Sequence, residues 1–279
     1  MSDRDERAAV FEDTLRLCEQ DPVLAAAVAA SKMRTAVFLE GDAPGIPPRR
    51  FEKTDVYVSK KRSFQAAVDL KKADPDAKIA VLNFANAFRP GGGVVKGASA
   101  QEECLCRCST LYPLLNRQSL KKAYYEMHGA LGSSKATDAV IYTEGVVVFK
   151  TDEDLPKKMD RKDWVFLDVL TCAAPDLRDK ANVYFGLSDG GLSMTDEELY
   201  QCHSKRIKHI LNVAASKGAD TLVLGAFGCG AFKNDPNVVA RAWKDALPRF
   251  TGVFRTVEFA IYCSPGHGEN YRVFCDTLG

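Results

Sequence analysis

The sequence predicts an α/β protein in which a mixed β-sheet lies between layers of helices. Strand and helix patterns alternate late in the chain: a strand over 221–226, a helix over 236–247, a strand over 256–263 and a helix over 268–277. The segments KIAVLNFAN and TLVLGAF are apolar on both faces, as buried strands are when helices cover both sides of a sheet. The apolar fraction of 46% is enough for one sizeable core.

The first 50 residues predict a helical extension of this core. AAVFEDTLRLCEQ has a helical pattern, and Asp21-Pro22 supplies an N-cap and a first-turn proline for a second helix, VLAAAVAASKM. AVFLEG can form a short strand, and the segment that contains Pro47 and Pro48 is a loop. We therefore expect two parts: a helical extension over 1–50 that packs on the core, and the core itself over 51–279.

Charge and composition exclude several classes of partner. The net charge of +1 gives no basic surface for nucleic acid, so we expect no direct DNA binding. The apolar stretch over 23–30 is too short to span a membrane, and the charged residues 3–7 do not resemble a secretory signal. We expect a monomer with no membrane association.

The cysteines predict a reducing compartment. The nine cysteines include no CxxC pair, so neither a disulfide framework nor a zinc site is expected. Cys104 and Cys108 share a helix face, which is typical of packing. The protein is therefore expected in the cytoplasm or the nucleus, without metal or cofactor.

Three further patterns define helices and strands near the middle of the chain. A helix is expected to begin at Ser99 and run through AQEECLCRCSTLYPLL, with Ser99 and Glu102 in capping-box spacing. DAVIYTEGVVVFK predicts two short strands on either side of Glu144-Gly145. Thr195 and Glu198 predict a capping box at the start of a later helix.

The segment NFANAFRPGGGVVKGASAQEE carries the strongest functional signal. Three consecutive glycines let the backbone approach a sugar or phosphate closely, and QEE follows after seven residues. Acidic residues at a helix start also complement the macrodipole, which is an equally good explanation of Glu102. Neighbouring helical residues point about 100° apart, so at most one glutamate is aimed at a reacting atom.

A second glycine-rich loop, GAFGCGAF, follows the strand TLVL. Its glycines permit left-handed conformations in which successive N–H groups bind phosphate oxygens. No Gly-Lys-Ser/Thr follows, which argues against a nucleotide kinase or NTPase. Taken alone, this loop fits a tight strand-to-helix turn as well as a phosphate site. Both loops follow the carboxyl ends of predicted strands, where α/β sheets bind ligands.

Taken together, NFAN, GGG with QEE, and GCGAF, in this order, resemble the poly(ADP-ribose) glycohydrolases, a branch of the macrodomain fold. The chain length is similar to that of the compact, bacterial-type enzymes. The resemblance implies a macrodomain-like core that hydrolyses the ribose–ribose O-glycosidic bond of poly(ADP-ribose) and releases ADP-ribose. It also implies poly(ADP-ribosyl)ated proteins as partners and a role in reversing ADP-ribosylation in the DNA damage response.

The resemblance implies catalytic and substrate-binding roles for specific residues. Glu103 is implied as the general acid and Glu102 as the residue that holds ribose hydroxyls. The other implied substrate-binding residues are Asn86, Gly91, Gly92, Gly93, Val94, Val95, Gln101, Gly228, Cys229, Gly230, Ala231 and Phe232. Asn83 stands where some members carry an acid, and the adenine wall is unassigned, with Tyr262 and Cys263 nearby. None of the four histidines is assigned a catalytic role, although His267 lies in a loop where it can touch a ligand.

Two other functions fit the same residues. A macrodomain that binds ADP-ribose without cleaving it is one, although two extra carboxylates do not help to bind an anionic diphosphate. A hydrolase of mono-ADP-ribosylated targets is the other, and the sequence does not distinguish it from an enzyme that acts on the polymer.

Overall fold

One mixed seven-stranded β-sheet forms the centre of the described part of the chain. The structure is a computed structural model that describes residues 2–179, 191–264, 266 and 268–279. The strands are β1 (Ala36–Phe38), β2 (Asp55–Ser59), β3 (Ile79–Phe84), β4 (Val140–Val148), β5 (Val165–Cys172), β6 (Thr221–Leu224) and β7 (Thr256–Ala260). Their order in the sheet is β1-β4-β5-β3-β6-β7-β2. The run from β5 to β2 is parallel, so five carboxyl ends meet at one edge. The strands β1 and β4 are antiparallel additions beyond β5.

Helices cover both faces of the sheet, as predicted. The helices are α1 (Asp3–Gln20), α2 (Pro22–Arg34), α3 (Ser63–Ala73), α4 (Gln101–Cys108), α5 (Leu111–Leu115), α6 (Gln118–Leu120), α7 (Met127–Leu131), α8 (Asp196–Ser216), α9 (Pro236–Ala246) and α10 (Glu269–Leu278). A π-helical segment (Lys121–Glu126) joins α6 to α7, and 3-10 turns occur at Val94–Lys96, Arg161–Asp163 and Leu247–Phe250. Across these residues, no helix combines the length and apolarity needed to cross a membrane.

The apolar core is divided into two layers by the sheet. One layer packs α8 and α9 against the sheet around the fully buried Trp243. The other packs α3, α4 and α5 against the opposite face, around Phe64 and Leu105. These layers confirm the predicted sandwich, and they place the loops that follow the parallel strands between the helical layers.

The predicted helix after Ser99 differs from the structure in two ways. Its N-cap is Ala100, without a side-chain cap, because the Glu102 carboxyl group turns towards the preceding glycine loop instead of completing a capping box. The helix also ends at Cys108, since Thr110 leaves the helical path and exchanges hydrogen bonds with Val147 of β4. The capping box of Thr195 and Glu198 is confirmed.

The two strands predicted around Glu144-Gly145 are one strand with a bulge. The pairing of β4 with β5 shifts register between Thr143 and Val146. Gly145 takes a φ of +76° there, and its N–H donates to Asp168 Oδ1 at 3.0 Å. A glycine and a buried carboxylate thus let the strand continue through a segment that resembles a turn in sequence.

The N-terminal helices pack on the sheet and on the glycine loop. The Thr14 hydroxyl donates to the carbonyl oxygen of Arg107 at the end of α4 at 2.6 Å. The buried Lys150 donates to Asp13 at 2.8 Å, and Arg7 Nε donates to the Gly97 carbonyl oxygen at 2.8 Å. The strand β1, although it lies within residues 1–50, is an edge strand of the sheet. The division of the chain at residue 50 stays a prediction.

Gly97→Ala is expected to separate α1 from the glycine loop. A Cβ at this position would lie 2.0 Å from the Arg4 carbonyl oxygen, and the residue has a φ of +67°. We expect the overlap to lower the free energy of unfolding by about 2 kcal/mol. Backbone strain of an alanine in the left-handed region should lower it by about 1 kcal/mol more. Urea unfolding and hydrogen exchange of residues 3–20 measure the two effects.

Gly218→Ala is the matched control for strain alone. Gly218 has a φ of +76°, but apart from its two chain neighbours no described residue has an atom within 4 Å of the position that an added Cβ would take. Equal losses of stability in the two variants, with unchanged exchange in α1, would show that the contact with Arg4 does not hold the helix in place.

Candidate active site

A cleft of about 500 Å³ opens at the edge where the parallel strands end. One wall is formed by the glycine loop after β3 and the start of α4, and another by the loop after β6. The residues that follow β2 and β7, among them Arg62 and Tyr262, complete the lining. Most of the residues predicted from the sequence as a site are therefore brought together at one place.

Glu102 is buried, and backbone and amide donors surround its carboxyl group. Its Oε2 accepts from the Asn86 N–H at 2.8 Å, while Oε1 accepts from the Gly91 N–H at 3.2 Å and from Asn83 Nδ2 at 3.3 Å. Burial, and next the charge of Glu103, raise the pKa of Glu102 from its usual 4.5 to about 8. The hydrogen bonds oppose this shift but do not cancel it.

Glu103 lines the cleft beside Glu102 and has one oxygen without a partner. Its Oε1 accepts from the Gly93 N–H at 2.9 Å. Its Oε2 is buried and has no hydrogen-bond partner within the described ranges. A buried carboxyl oxygen without a partner is unfavourable unless a ligand forms a hydrogen bond with it.

The three glycines hold the two acids. The N–H groups of Gly91 and Gly93 point at the carboxyl groups. A Cβ on Gly92, whose φ is +56°, would lie 2.6 Å from Glu103 Oε1 and 3.2 Å from Glu102 Oε2. A side chain at position 92 would displace the Glu103 carboxyl group and crowd that of Glu102, so the acids themselves require a glycine there.

Gln101 fixes the start of α4 to the sheet. Its Oε1 accepts from the Phe84 N–H at 2.9 Å, and its Nε2 donates to the Leu82 carbonyl oxygen at 2.7 Å and to Ser63 Oγ at 3.0 Å. Both ends of the amide are therefore used within the protein, and the residue sets the direction in which Glu102 and Glu103 project.

The second loop leaves its backbone donors available to a ligand. The N–H groups of Gly230, Ala231 and Phe232 form no hydrogen bond with any other residue that the structure describes. All three residues line the cleft. Consecutive N–H groups in a glycine-rich turn can bind an anion, which is one of the two interpretations that the sequence left open for this loop.

Two residues that the sequence analysis left out of the site, His203 and Asn234, hold the second loop in place through hydrogen bonds. Asn234 Nδ2 donates to the carbonyl oxygens of Pro175 at 2.8 Å and Phe232 at 3.0 Å. Its Oδ1 therefore accepts, and the donor is His203 Nε2 at 2.6 Å. Burial lowers the pKa of His203 to about 4, so the ring is neutral. The sequence placed His203 on a predicted helix without a catalytic role and gave no sign of this partner.

Six cations also line the cleft, namely Arg4, Lys61, Arg62, Arg89, Lys96 and Arg178. The guanidinium of Arg62 lies 4.1 Å from the Tyr262 ring centroid and pairs with Asp154 at 2.6 Å. Lys61 pairs with Asp69 at 2.7 Å, and Arg178 pairs with Asp176. The sequence analysis missed this wall, although the run Lys60–Arg62 directly follows a predicted strand.

Four of the predicted residues lie outside the cleft lining. Gly91 contributes its N–H to Glu102, whereas Val94 is buried in the core and Val95 is 61% exposed. Cys229 lies between two residues that line the cleft, but it is not itself among the described lining residues. Tyr262 lines the cleft, and His267 is outside the described residues.

Comparisons with known proteins agree with this geometry. The family model for the catalytic domain of microbial-type poly(ADP-ribose) glycohydrolase matches residues 13–151. No curated protein matches the sequence significantly.

Solved structures match along nearly the whole chain. Poly(ADP-ribose) glycohydrolase from Thermomonospora curvata is 29% identical, with a TM-score of 0.81 over 98% of this chain and 100% of that chain. Its complex with the inhibitor ADP-HPD is also 29% identical, with a TM-score of 0.80 over 98% and 99% of the two chains. The Deinococcus radiodurans enzyme in complex with ADP-ribose is 31% identical, with a TM-score of 0.73 over 88% and 95%.

Three findings establish the family of this chain: the fold, the matching family model, and a solved relative that is 31% identical and is covered over 95% of its length. The chain belongs to the microbial-type poly(ADP-ribose) glycohydrolases, a family of glycoside hydrolases that act on poly(ADP-ribose).

Proposed function

We propose that Glu103 is the general acid that protonates the leaving oxygen when the bond between two riboses of poly(ADP-ribose) is cleaved. The observation that carries this proposal is Glu103 Oε2, a buried oxygen of a residue that lines the cleft, which has no partner among the described residues. Donation from this oxygen converts the departing alkoxide into a hydroxyl group, which is the first requirement of glycoside hydrolysis.

Glu102 serves to hold the ribose and to keep a proton within the acid pair. A carboxyl group has about four acceptor positions, and three of those on Glu102 are filled by Asn83, Asn86 and Gly91. The remaining position on Oε2 can hydrogen-bond to a ribose hydroxyl, as a donor while Glu102 carries its proton and as an acceptor once the group is ionised. The raised pKa of Glu102, caused by burial and next by the charge of Glu103, keeps a proton on the Glu102 carboxyl group itself.

The second loop binds the diphosphate of the unit that is released. The free N–H groups of Gly230, Ala231 and Phe232 support this assignment, together with Gly228, which also lines the cleft. A diphosphate held there places negative charge near the anomeric carbon, where positive charge develops in the transition state.

Two side chains orient the terminal ribose in this arrangement. Asn86 Oδ1 accepts from the N–H groups of Phe88 at 2.9 Å and Arg89 at 3.0 Å, which leaves the amide nitrogen as a donor to the sugar. Phe232 lies in the cleft wall with the Arg178 guanidinium 5.3 Å from its ring centroid. Water then attacks the anomeric carbon and gives its proton to the Glu103 carboxylate, which restores the acid.

The biological substrate in this proposal is polymer attached to poly(ADP-ribosyl)ated proteins inside the cell, and the enzyme acts as a monomer. The nine cysteines are all free thiols, five of them buried, which supports a reducing compartment.

Glu103→Gln should abolish most of the activity without weakening ligand binding. The amide retains an oxygen that can accept from Gly93 but has no acidic proton, so kcat should fall by a factor of about 10² to 10⁴. The measurement is release of ADP-ribose from purified poly(ADP-ribose), with the Kd for ADP-ribose determined by calorimetry. Glu197→Gln, on the exposed side of α8, is the control.

Retention of more than half of the wild-type kcat by Glu103→Gln would exclude Glu103 as the acid. Release of ADP-ribose from mono-ADP-ribosylated protein but not from polymer would overturn the substrate assignment instead.

Stability is expected to fall with rising pH in the wild type relative to Glu102→Gln. Between pH 4.5 and about 8 the folded protein holds a proton on Glu102 that the unfolded chain has lost, so a rise in pH favours unfolding. The difference in the free energy of unfolding between the wild type and Glu102→Gln should change by up to about 1.4 kcal/mol per pH unit. Urea unfolding of both proteins across this range measures it. Parallel pH profiles would show that the carboxyl group is ionised in the folded protein.

A further inference from the structure

We propose that Arg4 and Lys96 form a second, leaving-side anion site that binds the diphosphate of the neighbouring unit in the polymer. This inference rests on the proposed function. It concerns the part of the substrate that departs, which the second loop does not hold.

The two cations are brought together by the docking of α1 on the glycine loop. Lys96 directly precedes Gly97, and the Cα of Gly97 packs against the Arg4 backbone so closely that an added Cβ would lie 2.0 Å from the Arg4 carbonyl oxygen. The hydrogen bond from Arg7 to the Gly97 carbonyl oxygen fixes the same contact. Both Arg4 and Lys96 line the cleft.

No described acidic residue forms an ion pair with either cation. Three other cations of the cleft, Lys61, Arg62 and Arg178, each pair with an aspartate. Neither Arg4 nor Lys96 has an ion pair with any residue that the structure describes. Successive residues on α1 are about 100° apart, so the neighbouring acids Asp3 and Asp5 project away from the direction of Arg4.

The position of the pair relative to Glu103 fits the leaving group. The Lys96 N–H donates to the Gly93 carbonyl oxygen at 3.0 Å, and the Gly93 N–H donates to Glu103 at 2.9 Å. Lys96 therefore belongs to the same short loop that holds the acid. The leaving oxygen belongs to a ribose that carries its own 5′-diphosphate, a few bonds from the atom that Glu103 protonates. Two cations on this wall that form no ion pair with a described residue are placed to meet that diphosphate.

The test compares two substrates with different leaving groups. One is poly(ADP-ribose), and the other is an O-glycoside of ADP-ribose with an uncharged phenol as leaving group. For the double variant Arg4→Gln/Lys96→Gln we expect kcat/KM on the polymer to fall about fivefold or more at about 50 mM salt. The value on the phenyl glycoside should stay within about twofold of the wild type, because that substrate has no second diphosphate.

Salt provides a second measurement. The kcat/KM of the wild type on polymer should decrease more steeply with salt than that of the double variant, since fewer ionic contacts remain to be screened. The control is Lys53→Gln/Arg241→Gln, which removes two exposed positive charges outside the cleft. It should match the wild type on both substrates.

Three outcomes are decisive. A fall in kcat/KM of the double variant on the polymer but not on the phenyl glycoside supports the leaving-side site. Equal loss on both substrates, or no loss on the polymer, overturns it while leaving Glu103 as the acid. Failure of the wild type to release ADP-ribose from polymer would instead overturn the proposed function on which the inference depends.

Discussion

Two neighbouring carboxyl groups buried at the start of α4 are the constraint on which the site depends. Burying carboxylates is unfavourable unless donors surround them. Here the donors are mainly backbone N–H groups, from Asn86 and Gly91 to Glu102 and from Gly93 to Glu103. These groups can reach the carboxyl oxygens only if the loop passes very close to the helix, which requires glycine at position 92. The glycine run and the acid pair therefore form one structural unit.

The two glycine-rich loops have opposite tasks although their sequences suggest the same one. The loop after β3 uses its N–H groups on the protein's own acids. The loop after β6 keeps the N–H groups of Gly230, Ala231 and Phe232 free of protein partners within the described residues, while Asn234 and His203 hold it from below. A site with acids on one side and open donors on the other suits a substrate that has hydroxyl groups at one end and a diphosphate at the other.

The N-terminal helix takes part in this arrangement. Through Arg7 it fixes the Gly97 end of the glycine loop, and through Thr14 it contacts the end of α4. Both ends of the segment that carries the acids are thus held by the same helix. The contact at Gly97 also places Arg4 at the mouth of the cleft. A helix that resembles an appendage in sequence supports the segment that carries Glu102 and Glu103, and it contributes Arg4 to the lining of the cleft.

The sequence by itself determined the sandwich and the chemical class of the site. Strand and helix periodicity predicted elements such as the helix over 236–247, which is observed as Pro236–Ala246, and the order of the three motifs indicated the family. Only the tertiary structure decided that Glu102 turns to the glycine loop instead of capping its helix, that Thr110 interrupts the helix after Cys108, and that His203 supports the second loop. Periodicity and propensity are properties of neighbours along the chain. These three features depend on donors and acceptors that the fold brings together from distant segments, and no local pattern records them.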